Sequence, residues 1–415
     1  MELYYSFSIL IVLASFFAYL NLRFLRFPPA IGIMAIAMIS SILLVSFGKI
    51  FPEFLMDFSQ LLIGVDFTEV LMGAMLNFLL FAGAIHINIA DLREQKLPVM
   101  LFSSVSVIIS TFIVGMVLYW ALPLIGMELP LIYCLLFGAL ISPTDPVAVL
   151  SILKNAKVPK SLETKVAGES LFNDGVAVVV FAVILKLTSG HSADINLGNV
   201  SWLLIKEAGG GFLLGTILGF TASNAIKNVN DYIVSVLITL SVVMGGYLIA
   251  HAMHISGPLT MVTAGLIIGN YGKRTAMSDE TKDYLNKFWE LIDEIMNAVL
   301  FLFIGFELLL IPNILEYWKG GLIAIIVVLF ARFLSIWVPT LFIRFKQKFS
   351  KGTIKILVWG GLRGGVSIAL ALSAQDNEYR PLLIAITYFV VVFSILVQGL
   401  TVGKMADKAL ASEKA

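Results

Sequence analysis

Glu169, Ser170, Asn173 and Asp174 place polar and ionisable side chains in the middle of an apolar stretch long enough to cross a bilayer. A carboxylate at membrane depth is costly unless a proton, an ion or a cationic side chain neutralises it. Residues four apart share a helix face, so Ser170 lies beside Asp174 and Glu169 lies beside Asn173. Asp174 with Ser170 therefore offers hard oxygen ligands, which suit an alkali cation or a proton and do not suit a soft transition metal.

Glu169 needs a partner of opposite charge at this depth, and Arg332 stands near the centre of another apolar stretch. We predict that the two form a structural ion pair that also orients Asn173. The alternative is that the two charged groups only hold helices together.

Two further apolar stretches contain residues that interrupt helices. Ser-Pro-Thr-Asp-Pro at 142–146 has two prolines, each of which removes a helical hydrogen bond. Gly-Gly-Leu-Arg-Gly-Gly at 360–365 has four glycines, which make helix continuation costly. Broken helices at corresponding positions of two halves are typical of inverted-repeat transporters with a site at the bilayer midplane. The plainer alternative is a pair of kinks in continuous membrane helices.

The elements that carry these residues are predicted to be membrane helices. Hydrophobic residues make up 59% of the 415 positions and charged residues 13%, and the mean hydropathy is +0.96. This composition predicts an all-α polytopic membrane protein, and it gives no support to a soluble domain or a nucleic-acid partner. About thirteen transmembrane spans of sufficient length are predicted, at 1–22, 28–48, 68–90, 97–122, 130–153, 164–187, 199–224, 231–251, 256–270, 288–311, 318–343, 353–374 and 381–404.

Lys and Arg are concentrated in alternate connections between these spans, for example at 154–165 and 344–355. The positive-inside rule then predicts an outside amino terminus and a cytoplasmic carboxyl terminus. Glu290, Asp293 and Glu294 stand at the cytoplasmic start of the tenth span, where they either complement a helix amino terminus or line a funnel that concentrates cations. The sequence has no phosphate-binding Gly-x-x-x-x-Gly-Lys-Ser/Thr loop, so ATP-driven transport is not expected.

Four parts of the chain together resemble the monovalent cation/proton antiporters of the NhaP and eukaryotic sodium/proton exchanger type. They are Ser-Pro-Thr-Asp-Pro-Val-Ala-Val at 142–149, Gly-Glu-Ser-Leu-Phe-Asn-Asp-Gly at 168–175, Arg332, and Gly-Leu-Arg-Gly-Gly-Val at 361–366.

The resemblance implies the NhaA/NhaP-like fold: thirteen helices in two inverted six-helix repeats joined by one helix, with two crossing broken helices. It implies a transmembrane antiporter domain over 1–405 and a short cytoplasmic tail over 406–415. The transport bundle would include the spans within 97–187 and 288–374, and the remaining spans would form the dimerisation bundle.

The resemblance also assigns the ion site. Asp174 matches the residue that binds sodium or a proton, and Asn173 fills the place where electrogenic relatives have a second aspartate. Asp145, the main-chain carbonyl of Thr144 and Ser170 look like the remaining ligands of Na+.

Glu169 and Arg332 match the ion pair of the family. Arg363 falls in the second broken helix, where a positive charge balances unwound carbonyls and helix ends. Some members have a glutamate in the third span, in a Phe-Glu-Gly-like sequence, whereas this chain reads Phe81-Ala82-Gly83. This departure predicts a different ion affinity or selectivity.

The function implied is secondary active transport rather than enzyme catalysis: exchange of Na+ (or Li+) for H+, with no cofactor beyond the transported ions. Because Asp174 takes either a cation or a proton while Asn173 stays neutral, the exchange is predicted to be electroneutral, one for one. The expected setting is the prokaryotic cytoplasmic membrane, with the chain embedded in the lipid bilayer as a homodimer.

The sequence leaves three alternatives to Na+/H+ exchange. A K+/H+ or broad-specificity antiporter of the same family differs only in ion preference. A cation channel would favour a continuous pore with rings of carbonyls or acids. An intramembrane hydrolase at Ser170 is disfavoured, because the histidines lie at span ends, away from a nucleophile at mid-membrane.

Overall fold

The chain is described from a computed structural model that covers residues 2–48, 67–145, 149–150, 158–188, 197–229, 231–311, 313–342 and 351–414. Pro146 and most of the predicted basic connection at 344–355 lie outside these ranges. Within them the chain is helical and contains no strand.

Eighteen α-helices of five residues or more carry the fold within the described ranges, and several of them adjoin a short π-helical or 3-10 segment. They are α1 Glu2–Leu20, α2 Pro29–Gly48, α3 Leu76–His86, α4 Ile89–Glu94, α5 Lys96–Met100, α6 Ser106–Ala121, α7 Leu131–Ile141, α8 Lys160–Thr188, α9 Leu197–Leu204, α10 Gly210–Lys227, α11 Tyr232–Ala252, α12 Gly257–Ile267, α13 Asp279–Glu307, α14 Trp318–Phe342, α15 Lys351–Trp359, α16 Gly365–Leu372, α17 Arg380–Phe393 and α18 Gly399–Lys414.

Eight helical stretches among the described residues are long and apolar enough to cross a membrane. Helical segments occupy each of the thirteen predicted spans, although several are short or interrupted. The predicted all-α membrane architecture is confirmed, and the number of crossing helices stays a prediction. Helix α18 extends to Lys414, so it includes most of the segment predicted as a tail at 406–415.

Large apolar side chains remain exposed on the outside of the bundle, which fits a surface that contacts lipid rather than water. Examples are Trp120 on α6, Leu213 on α10, Leu248 on α11 and Ile326 on α14. The chain is therefore an integral membrane protein.

Polar side chains cap the amino termini of three neighbouring helices in the sequence, α11, α12 and α13. The Asp231 carboxylate accepts hydrogen bonds from the amides of Ile233 and Val234 at the start of α11. Ser256 and Ser278 do the same for α12 and α13. Each cap satisfies main-chain donors that the first helical turn leaves unpaired, which fixes where the helix begins.

Helix α13 connects two apolar cores. Its first half contributes Trp289 to a core shared with α3 and α10–α12, where the indole Nε1 donates to Thr239 Oγ1 at 3.1 Å. Its second half packs against α2, where Ser41 Oγ donates to the carbonyl of Gly305 at 2.9 Å. A side chain at Gly305 would collide with Ala37, so glycine is required for this close approach.

Candidate functional site

The two predicted interruptions meet inside the protein. Helix α7 ends at Ile141 and leaves an unwound segment through Asp145, and a second unwound segment separates α15 from α16. The amide of Asp145 donates to the carbonyl of Leu362 at 2.8 Å. The main chains of the two breaks are therefore hydrogen-bonded to each other, which replaces partners that a continuous helix would have supplied.

Arg363 completes this contact. Its buried guanidinium donates through Nη1 to the carbonyls of Ser142 at 2.5 Å and Pro143 at 2.8 Å. In a continuous helix the Ser142 carbonyl would accept from residue 146, but that residue is a proline and has no N–H. The predicted role of Arg363 in balancing unwound carbonyls thus corresponds to a direct contact with the other broken helix.

Helix α8 presents Ser170, Asn173 and Asp174 to the first break. Asn173 holds Thr144 at two points, because its Nδ2 donates to Thr144 Oγ1 at 2.7 Å and its Oδ1 accepts from the Thr144 amide at 3.3 Å. The hydroxyls of Thr144 and Ser170 lie 2.9 Å apart and share a hydrogen bond. The direct partner of Asn173 is therefore Thr144 rather than the ion pair that was predicted to orient it.

Asp145 and Asp174 line one cavity of about 250 Å³. Asp174 is 7% exposed, so only a small part of the residue reaches this space. Asp293 and Glu294 of α13 line the same cavity, as the funnel interpretation predicts, whereas Glu290 is exposed and is not part of the lining. The cavity brings four carboxylates from three parts of the chain into one space, which favours entry of a cation.

The Glu169 carboxylate accepts a hydrogen bond from Arg332 Nη1, and both side chains are buried. Arg332 Nη2 also donates to the carbonyl of Leu357 near the end of α15, at 2.9 Å. A side chain at Gly361 would lie 3.0 Å from Arg332 Cζ, which is tighter than ordinary contact. The ion pair therefore links α8 and α14 to the helix that leads into the second break.

Two cavity residues were missed by the sequence analysis, Asn297 on α13 and Ser367 on α16. Asn297 Oδ1 and Ser367 Oγ are buried and accept or donate no hydrogen bond among the described residues. Each stands in an otherwise apolar helical run, and that isolation was the available signal. Ala82, where some relatives have glutamate, is buried, and the neighbouring Gly83 lines the cavity.

The atoms of this site that could coordinate a cation are oxygens. Within the described part of the chain, no group of three or more His, Cys, Asp or Glu side chains is arranged to hold a metal ion. Carboxylate, hydroxyl and carbonyl oxygens suit hard cations and protons.

Comparison with known proteins places this arrangement in a family. Residues 11–408 match the family model described as sodium/hydrogen exchanger, transmembrane. The chain is 45% identical over 409 residues to the Na+/H+ antiporter NhaP of Pseudomonas aeruginosa, covering 97% of this chain and 96% of that protein. It is 37% identical over 347 residues to the Na+/H+ antiporter NhaH of Halobacillus dabanensis, covering 82% and 83%.

Among solved structures, the chain matches the sodium proton antiporter MjNhaP1 of Methanocaldococcus jannaschii at pH 8 with a TM-score of 0.78. That match covers 99% of this chain and 100% of the other at 23% identity, and it shows a shared fold. Since the family model spans nearly the whole chain and close relatives match over most of their length, this protein belongs to the transmembrane sodium/hydrogen exchanger family.

Proposed function

We propose that this protein exchanges Na+ or Li+ for H+ across the membrane, one for one, with cation and proton competing for Asp174. The observation that carries the proposal is the position of Asp145 and Asp174 on one cavity beside the crossing of two broken helices. The relatives named above support the choice of ions, since both are named Na+/H+ antiporters.

The surrounding hydrogen bonds give each residue a role in this exchange. Asn173 and Thr144 bond each other, and Ser170 bonds Thr144, so these groups hold the unwound segment in shape. Na+ would bind to Asp174 and Asp145 with the Thr144 carbonyl and Ser170 as further oxygen ligands. Asn173 is uncharged in both states, so binding one cation or one proton at Asp174 leaves the same charge on the site.

Exchange rather than leak follows from the cost of burying a charge. A bare carboxylate cannot cross a low-dielectric barrier cheaply, so Asp174 must carry a proton or a cation when the site moves between faces. In this proposal the bundle that includes 97–187 and 288–374 moves, and the remaining spans form a homodimer. The amino terminus lies outside and the carboxyl terminus in the cytoplasm of a prokaryotic cell.

K+ transport is the second candidate, and the cavity wall at α3 favours it. Gly83 lines the cavity and Ala82 is buried, so this wall supplies no carboxylate where some relatives have one. A site with fewer charged ligands offsets less of the cost of dehydrating a cation, and this cost is smaller for K+ than for Na+.

The test is cation-driven proton movement in proteoliposomes, with Na+, Li+ and K+ added in turn. Asp174→Asn should abolish exchange with every cation, because the amide has a similar shape and cannot ionise. Asp407→Asn is the matched control, since Asp407 is an exposed carboxylate near the end of α18. Exchange near the parent rate in Asp174→Asn would show that another group carries the ions. Strong voltage dependence at saturating ion concentrations would refute one-for-one exchange.

A further inference from the structure

A second cavity, of about 1200 Å³, is separate from the ion site. It lies between the turn that joins α3 to α4 and the segment that follows α12. Among the described residues its charged lining is mainly basic, with Glu94 as the single acid. The basic side chains that line it are His86, Arg93, Lys96, Lys273 and Arg274. Such a concentration of positive charge in a concave space attracts anions.

Specific hydrogen bonds build the wall of this cavity. Asn270 Oδ1 accepts from the amide of Ile89 at 2.8 Å, and Asn270 Nδ2 donates to the carbonyl of Ile87 at 2.8 Å. Lys273 Nζ donates to the carbonyl of Ile85 at 2.8 Å and to Asn286 Oδ1 at 2.6 Å. Hydrogen bonds therefore connect the turn between α3 and α4 to the segment that follows α12, and together these two segments form one wall of the cavity.

The charges in the cavity are largely uncompensated by protein. Arg93, Lys96 and Arg274 are exposed and form none of the ion pairs found among the described residues. The nearby Asp91 on α4 pairs instead with Lys160, at 3.1 Å. Burial lowers the pKa of Lys273 to about 8, because its ammonium group is withdrawn from water and meets only neutral oxygens.

Apolar side chains adjoin the basic lining. Ile89 lines the cavity and is 41% exposed, and Leu97 and Met100 on the following helix α5 are 43% and 66% exposed. Exposed apolar residues beside clustered Lys and Arg are the arrangement expected where a membrane surface meets water.

We propose that this cavity binds a phosphate-bearing anion, either the head group of an anionic phospholipid or a soluble phosphate compound. Arg93, Lys96 and Arg274 make the principal contacts with the phosphate oxygens, and Lys273 supplies an additional donor. The apolar rim at Ile89 lies where the glycerol and first acyl carbons of a lipid would rest. The inference is independent of which cation the ion site transports.

The experiment measures ligand retention by the full chain in detergent micelles, using native mass spectrometry and thermal melting. Phosphatidylglycerol, phosphatidylcholine and pyrophosphate are the three probes. The test variant is Arg93→Gln/Lys96→Gln/Arg274→Gln. The matched control is Lys227→Gln/Lys282→Gln/Lys287→Gln, which removes the same number of positive charges from exposed or half-buried positions outside the cavity.

Each basic group near an anionic lipid is worth about fivefold in affinity, so the triple variant should lose about a hundredfold while the control binds like the parent. Arg274→Gln alone should lose about fivefold, and it provides a milder variant if the triple variant folds poorly. Selective loss of phosphatidylglycerol supports the lipid source, and selective loss of stabilisation by pyrophosphate supports the soluble source. Two outcomes would overturn the proposal. In the first, the test and control variants bind phosphatidylglycerol and pyrophosphate equally well. In the second, the parent retains phosphatidylcholine and phosphatidylglycerol equally and pyrophosphate has no effect on its melting.

Discussion

Gly364 lies against Asp145 at the crossing of the broken helices, and adding one methyl group there is expected to disturb the proposed ion site. A Cβ atom at Gly364 would lie 2.8 Å from Asp145 Cβ and 2.9 Å from its Cγ, with Oδ2 closer still. Ordinary contacts of this kind begin at about 3.4 Å. Gly364 has φ −130° and ψ −156°, an extended conformation that is open to alanine, so the effect of Gly364→Ala is a collision rather than backbone strain.

The energetic cost of Gly364→Ala depends on which of the colliding groups can move away. The amide of Asp145 is bonded to Leu362, two residues before the substitution, so the main chains cannot easily separate and the carboxylate has to shift by at least about 0.5 Å. Overpacking of this kind costs about 1–3 kcal/mol. If that cost falls on the cation-bound state, the half-saturating Na+ concentration rises by about 5- to 150-fold.

The assay is Na+-driven proton flux in proteoliposomes, with Gly83→Ala as the control. Gly83 lines the same cavity, but a Cβ there would lie 3.6 Å from Leu171 Cδ1, which is an ordinary contact. Gly83→Ala should therefore keep the parent half-saturating concentration. Parent-like saturation in Gly364→Ala, or an equal defect in both variants, would refute the reasoning.

Two further predictions concern stability in detergent, measured by melting. Reversing the charge of either Glu169 or Arg332 alone should lower the free energy of unfolding by at least about 3–5 kcal/mol, because it buries two like charges together. Exchanging the two residues should recover only part of this loss, since a glutamate at 332 cannot donate to the Leu357 carbonyl. An exchange variant no more stable than the single reversals would contradict the pairing. Burial lowers the pKa of Lys273 from its usual 10.5 to about 8, so between these pH values the unfolded chain holds a proton that the folded chain has released. The stability of the parent relative to Lys273→Met should therefore rise by on the order of 3 kcal/mol as the pH is raised from 8 to 10.5 and stay constant below 8, and a difference independent of pH would contradict this.

The two broken helices were predictable because their causes are local. Proline removes a donor and glycine weakens a helix wherever they occur, so the sequence around Pro143 and the glycines near Gly361 was sufficient to predict both breaks. What the sequence did not reveal is that the amide of Asp145 bonds the carbonyl of Leu362, more than two hundred residues away. Such a bond depends on how the helices are packed, and helical periodicity carries no information about that.

The residues of the proposed ion site also divide into features that the local sequence predicts and features that depend on packing. Periodicity placed Ser170 and Asp174 on one face of α8, but it could not identify Thr144 as the partner of Asn173. Asn297 was missed because an isolated amide in the apolar second half of α13 does not by itself indicate which residues it faces. Only the shared cavity connects it with Asp174.

The hydrogen bonds around the crossing favour a carrier over a channel. Arg363 ties the second break to the first through the Ser142 and Pro143 carbonyls, and Asn173 ties the first break to α8 through Thr144. The residues that would hold the ion therefore belong to three segments that are hydrogen-bonded to one another. A channel conducts along a continuous pore past fixed sites, whereas a hydrogen-bonded unit that includes the buried carboxylate of Asp174 fits the proposed site that moves between the two faces of the membrane.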